Sequence, residues 1–203
     1  MTIFTAKTLE DFKLFPDESR SLALMARPAP SDAPSFFAGL TETPFRVSAM
    51  IRQAEARDDI GWALADILPA RHRADPFYAI WVADMADICR TVCGMLRSET
   101  VRFRLDTFRG CQRYHIDNIA FRTIVTYFGA GTEYLLSDGG CRKAYERGAP
   151  NEEIVKDPSA IRHINPWTVA VFRGGPNGIL HKTPDAAIKS PSVFMRVDPA
   201  PEV

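Results

Sequence analysis

The chain has 203 residues, 46% of them hydrophobic, 25% charged and 10% aromatic, a composition that can bury one ordinary core and excludes a mainly disordered protein. Lys plus Arg and Asp plus Glu number 25 each, so no net field exists to gather nucleic acid or an anionic membrane surface. One compact unit over residues 1–203 is the expectation.

Residues 1–20 read as an extended arm with one amphipathic turn, its early acidic residues unlike a secretory signal. No apolar run approaches the roughly 20 residues of a spanning helix. A cytoplasmic protein is the expectation, with Cys89, Cys93, Cys111 and Cys141 mostly reduced. "SLALMARP" has the short apolar run of a strand stopped by proline, and "PAPSDAPS" is a loop. From Ser35 apolar residues recur at three and four, so "SFFAGL" and the stretch "PFRVSAMIRQAEARDDIGWALADIL", with Pro44 as its starter, are predicted to be helical. "DPFYAIWVADMADICRTVCGMLRSE" starts on Asp-Pro and holds the helical period, and it carries Cys89 and Cys93 one turn apart.

After Thr100 the period becomes two. "VRFRLDTF", "QRYHID", "FRTIVTYFG" and the glycine-flanked "GAGTEYLLSDGG" read as strands. "CRKAYERGAPNEEIVKDPSAIRHI" is an irregular, partly helical excursion, after which "WTVAVFRG", "ILHKTP" and "SVFMRVD" are short strands again. A mainly helical portion (1–99) and a β-rich portion (100–198) imply an α+β fold, a β-sandwich or small open barrel with helices on one face. Neither GxGxxG nor GxxxxGK[ST] follows a strand, so dinucleotide and P-loop chemistry have no motif here.

In an extended segment His115 and Asp117 project to one face, as two of the three ligands of a 2-His-1-carboxylate site or as an ordinary strand-end pair. Of His72, His163 and His181, the first sits in a charged loop expected to be exposed, and the last follows a glycine turn at the start of "HKTP". Arg196 lies fifteen positions beyond His181 and either binds a carboxylate bidentately or pairs with Asp198 on its own strand face. Tyr127 and Thr123 alternate on the strand after HxD and offer hydroxyl donors. Glu133 is either a turn residue or an acceptor that orients a ligand histidine, and a Cys111 thiolate would make a softer, zinc-like site. Arg113 would face an anionic ligand or Asp117. Arg102, Arg104, Arg109, Arg113 and Arg122 read best as solvated strand faces, with a pocket for an acidic substrate as the other option.

The motif His115-x-Asp117, followed by "TYFGAGTEYL", "TVAVFRG", His181 and Arg196, resembles the HxD, distal His and Arg pattern of double-stranded β-helix Fe(II)/2-oxoglutarate oxygenases. That resemblance implies a helical N-terminal half packed on a C-terminal double-stranded β-helix, a jelly-roll or cupin-like sandwich. It further implies His115, Asp117 and His181 as metal ligands, Fe(II) and 2-oxoglutarate as cofactors, Arg196 with Tyr127 and Thr123 as co-substrate residues, and a small-molecule or protein substrate. More specifically, "CQRYHIDNIAFRTIVTYFGAGTEYL" with "FRGG", "LHKTP" and "FMRVD" resembles the uncharacterised bacterial domain of unknown function 1826 family, in which an association with metal homeostasis implies zinc binding without catalysis as the alternative.

Overall fold

Ten strands carry the architecture: β1 (Phe4–Thr5), β2 (Leu22–Met25), β3 (Arg46–Arg52), β4 (Thr100–Asp106), β5 (Phe121–Phe128), β6 (Glu133–Leu135), β7 (Ile161–His163), β8 (Val169–Arg173), β9 (His181–Lys182) and β10 (Val193–Pro199). They come from a computed structural model that describes residues 3–17, 19–136 and 138–201; residues 1, 2 and 18 of the expected arm lie outside these. Seven strands form one sheet in the order β1-β2-β8-β5-β10-β4-β3, and three form a second in the order β7-β6-β9. The result is a mixed α/β fold with a large sheet and helices.

The large sheet has two different faces because side chains alternate along each strand. Val101, Phe103 and Leu105 of β4, Val125 and Tyr127 of β5, and Val193, Met195 and Val197 of β10 point to one side and join the main apolar core. The helix Pro76–Leu96 covers that side with Phe77, Trp81, Met85, Ile88, Val92 and Met95, spaced at three and four. Asp75 caps its N-terminus by accepting from the Phe77 N–H at 2.8 Å, and Arg97, at φ 52°, closes its C-terminus in the left-handed region. Full burial of a side chain such as Trp81 contributes roughly 2–3 kcal/mol.

The opposite face of the large sheet meets the second sheet. Leu22, Ile124, Ala170 and Phe172 pack there against Tyr134, Ile164 and Ile179. Beyond this apolar patch the same face turns polar, because β4 and β10 present Arg104 and Arg196 directly across from one another.

The expectation of a helical first half needs correction. Residues 46–52, read from Pro44 onward as helix, are the strand β3, paired antiparallel with β4 over its whole length. Val47 and Ile51 are buried while Arg46, Ser48 and Arg52 are exposed, so the segment has period two; the true helix starts only at Ala56. With β1 and β2, the first half therefore gives three strands to the large sheet. The long helix, the helix at Ala33–Leu40 and the strands β4, β5, β6, β8, β9 and β10 match their expected places, whereas β7 lies at the end of the stretch expected to be irregular and "QRYHID" forms a single bridge at His115 rather than a strand. No helix among the described residues is long and apolar enough to cross a membrane.

Candidate metal centre

His115 and His181 are fixed by backbone pairing. Each donates its N–H to the other's carbonyl at 3.0 Å, which adds the 115 segment to the edge of β9 and brings the two rings to 4.4 Å between centroids. The rings are oriented alike as well. His115 Nδ1 lies 3.0 Å from the Arg113 carbonyl and His181 Nδ1 lies 3.0 Å from the Ile179 carbonyl. A carbonyl only accepts, so Nδ1 carries the proton in both, and each Nε2 presents a lone pair. Phe172 backs the His181 ring with its centroid 4.3 Å away.

Asp117 completes the group. Its carbonyl accepts from the Gly175 N–H at 2.8 Å, which ties the 117–120 turn to the end of β8. Gly174 permits this approach, since a Cβ there would stand 2.5 Å from the Asp117 carbonyl oxygen. The carboxylate is buried, and Arg122 donates to its Oδ1. Oδ2 is buried without a hydrogen-bond partner and faces His181 Nε2 at 3.4 Å, while Oδ1 lies 4.0 Å from His115 Nε2. One donor atom from each of the three residues lies within 4.8 Å of the others.

Two lone pairs and an anionic oxygen aimed at one point repel each other unless a cation sits among them. A buried carboxylate with one orphaned oxygen, grouped with two Nε2 atoms, is the donor set a divalent metal takes, with three protein ligands and positions to spare. Burial and the neighbouring His115 hold His181 far below the ordinary histidine value, at about 3, so it stays neutral as a ligand must. Burial likewise pushes the Asp117 pKa up, against the pull of Arg122.

Two of the three donor residues, His115 and His181, line a cavity of about 300 Å³ between the two sheets, and Asp117 lies behind them. Arg196, Arg122 and Arg104 line it, with Arg46 and Arg109. Arg196 Nε lies 3.0 Å from Asp198, so the strand-face pairing exists, and Asp198 also takes Arg122 at 2.8 Å and Arg102 at 3.5 Å.

Other candidates lie elsewhere. Tyr127 and Thr123 face the helices, not the cavity, because β5 turns Arg122 and Ile124 inward and the intervening residues outward. The Tyr127 hydroxyl donates to Asp84 at 2.7 Å in the aromatic core, and Thr123 is buried on the same side. Glu133 accepts from the Tyr114 hydroxyl and lies 3.4 Å from His163, so it orients neither ligand histidine. Cys111 lines the cavity at φ 59° but is outside the donor cluster. Arg113 turns away to the carbonyls of Tyr145 and Ala149, and His72 is half-buried edge-on to Phe36. Sequence reasoning missed Asn151, which ties the HxD segment to the excursion by accepting from Tyr114 N–H at 2.9 Å and donating to the Gln112 carbonyl. Of the two readings of Arg104, Arg109 and Arg122, solvated strand faces or the wall of a pocket, the structure has the second, as all three line the cavity.

A family model described as "Protein of unknown function (DUF1826)" matches residues 6–198. The chain belongs to the DUF1826 family. No curated protein matches it in sequence. The fold of this DUF1826 protein is similar to that of a bsmA homolog from Methylobium petroleophilum PM1, with 93% of this chain and 92% of that one covered, 10% identity and a TM-score of 0.50. The rice dioxygenase for auxin oxidation aligns over 98% of this chain and 82% of its own at 12% identity and TM-score 0.48. HygX from Streptomyces hygroscopicus, solved with iron bound, aligns over 93% and 86% at 11% identity and TM-score 0.43.

Proposed function

We propose that this DUF1826 protein is a mononuclear metal-dependent oxygenase of the Fe(II)/2-oxoglutarate type, built on a double-stranded β-helix. The chain from β4 to β10 supports the fold reading. It passes back and forth between the sheets, with β4, β5, β8 and β10 in the large one and the His115 bridge, the consecutive pair β6 and β7, and β9 in the small one. The observation that carries the function is the meeting of two Nε2 lone pairs with the unpartnered Asp117 Oδ2 beside an arginine-lined cavity.

Iron(II) bound there would supply activation of dioxygen, with open positions left by three protein ligands. The chain's own residues do the rest. The carbonyls of Arg113 and Ile179 keep both imidazoles in the ligating tautomer, and Arg122 holds Asp117 Oδ1 so that Oδ2 points at the centre. The arginines of the cavity, Arg196 among them, favour a dicarboxylate co-substrate and exclude neutral competitors. Ile124 and Phe194 add apolar surface to the cavity wall.

The zinc-homeostasis reading is less well served, because a closed structural zinc site takes four ligands and here no thiolate joins the three. The test is anaerobic loading with Fe(II), followed by metal analysis and uncoupled conversion of 2-oxoglutarate to succinate. Turnover that depends on Fe(II) and disappears in His181→Ala supports the oxygenase. Full iron occupancy with no turnover favours the binding role, and unchanged metal content in a His115→Ala, Asp117→Ala double variant rejects the site.

A further inference from the structure

One cation of the cavity differs from all the others. Arg46 and Arg104 share Asp106 at 2.5 and 2.6 Å, Arg122 and Arg196 share Asp198, and Lys182 has Asp185 at 3.1 Å. Arg109 has no carboxylate partner among the described residues. It is held instead by neutral groups, with Nη1 donating to the Ala130 carbonyl at 2.9 Å and Nη2 to Thr132 Oγ1 at 2.8 Å. Its guanidinium lies 4.3 Å from the centroid of Phe194, two positions before Arg196 on the same face of β10. Two hydrogen bonds and a ring contact fix the group, and its Nε–H and further Nη–H donors are left over on a residue that lines the cavity.

A half-buried guanidinium with oriented donors and no counter-charge is unfavourable without a ligand and favourable with an anion. Burial pulls the Arg109 pKa down to about 10, which registers the same missing counter-charge. Burial lowers the Arg196 pKa too, and its Nε makes no hydrogen bond, but Arg196 has a counter-charge, with the Asp198 carboxylate 3.0 Å from Nε, and Arg109 has none.

We propose that Arg109, not Arg196, is the principal carboxylate anchor of the cavity, and that the ligands it selects are organic acids that place a carboxylate on its free edge beside Phe194. This builds on the reading above in taking the cavity as the reactant's place, but the anchor itself does not require the metal.

The experiment uses the full chain stripped of metal on a chelating resin, with succinate as probe and dimethyl succinate as the uncharged control. Calorimetric titration and the ligand-induced rise in Tm are read for the wild type, Arg109→Gln, Arg109→Lys and Arg196→Gln. Arg109→Gln should weaken succinate at least about tenfold, the worth of a lost charge-assisted pair, while Arg196→Gln costs less. Arg109→Lys should retain part of the affinity, because a point charge replaces the fork. The ligand-free Tm of Arg109→Gln should equal or exceed that of the wild type, since a strained cation has gone; a purely structural arginine would lower it. The assignment is overturned if Arg109→Gln binds succinate within twofold of the wild type, if Arg196→Gln loses more, if dimethyl succinate binds equally well, or if the wild type binds neither succinate nor, with Fe(II) under nitrogen, 2-oxoglutarate. Should Arg109→Gln fold poorly, the Lys variant and the ester control decide alone. Succinate binding with no iron uptake would sink the oxygenase reading and leave Arg109 standing; iron uptake with Arg109-independent succinate binding would do the reverse.

Discussion

His115 and His181 exchange backbone hydrogen bonds in both directions at 3.0 Å, so the spacing of the two imidazoles is set by the main chain before either side chain is considered. The donor set is therefore organised without metal, and binding need not wait for folding of the site. Replacement of His115, Asp117 or His181 by alanine should each remove most of the bound divalent metal while the far-ultraviolet circular dichroism stays that of the wild type. Elemental analysis of the purified variants checks this, and a single variant that keeps full occupancy would remove its residue from the ligand set.

A ligand can also be lost from a distance. Gly174→Ala replaces none of the three donors, but its Cβ would stand 1.9 Å from the Ile119 carbonyl oxygen and 2.5 Å from the Asp117 carbonyl that Gly175 holds, so the 117–120 turn would have to move. The expected result is a metal affinity lowered about tenfold or more, the range for residues that orient ligands, measured by competition with a chromophoric chelator. Affinity equal to the wild type would mean that the 117–120 turn can shift without cost.

Tyr127 gives the opposite pattern. Its hydroxyl serves Asp84 in the aromatic core, so Tyr127→Phe should cost about 1 kcal/mol in urea unfolding and leave metal and dicarboxylate binding unchanged. Loss of dicarboxylate affinity in this variant would restore the role expected from the sequence.

The parity of β5 explains why that expectation went astray. "TIVTYF" is covered on both sides, by helices on one and the second sheet on the other, so both faces carry apolar or neutral residues. Hydrophobic alternation marks an inside only where the outside is wet. The HxD pair and His181 were legible because motif and turn chemistry are local, and the long helix because its period runs for 21 residues. β3 was not, because Pro44 and the true helix from Ala56 frame "RVSAMIR" so closely that its period of two merges with theirs. The place of the cavity arginines stayed open between solvent and pocket for another reason. Alternation of Arg102 and Arg104 with Val101 and Phe103 looks the same whether the polar face meets solvent or a second sheet, and only tertiary packing decides.

Asp198 is almost fully buried and serves Arg102, Arg122 and Arg196 together. Asp198→Ala leaves three guanidinium groups without their shared carboxylate and should lower unfolding stability by roughly 2–3 kcal/mol, reduced from the fully buried case because the arginines reach solvent. It should also weaken metal binding, since Arg122 would then lie wholly on Asp117. Chemical denaturation with and without metal separates the two effects; equal losses in both would mean that Asp198 acts on the fold alone.

Acid should destabilise the metal-free protein through His181. Its native pKa, near 3, lies below the ordinary 6.5, so between those values the unfolded chain takes up a proton that the native one refuses. Stability is then complete above pH 6.5 and falls as the pH drops toward 3, by roughly 2 kcal/mol between pH 6.5 and 5. Asp117, raised by burial, works in the other direction at the acid end. Melting curves at stepwise pH check the slope, which should flatten in His181→Asn; an unchanged slope would assign it to other groups.

The order of the large sheet carries a consequence for anyone who would trim the protein. The three donors and all of the cavity wall but Arg46 lie between residues 104 and 196, yet β2 borders β8 and β3 borders β4, so the early chain supplies both outer flanks. A fragment that starts at residue 100 would leave the rims of β4 and β8 with rows of unpaired amides and carbonyls, each a template for joining another copy. Such a fragment should precipitate rather than fold. The catalytic-looking half is thus not a transferable cassette, and the first hundred residues serve as its selvedge.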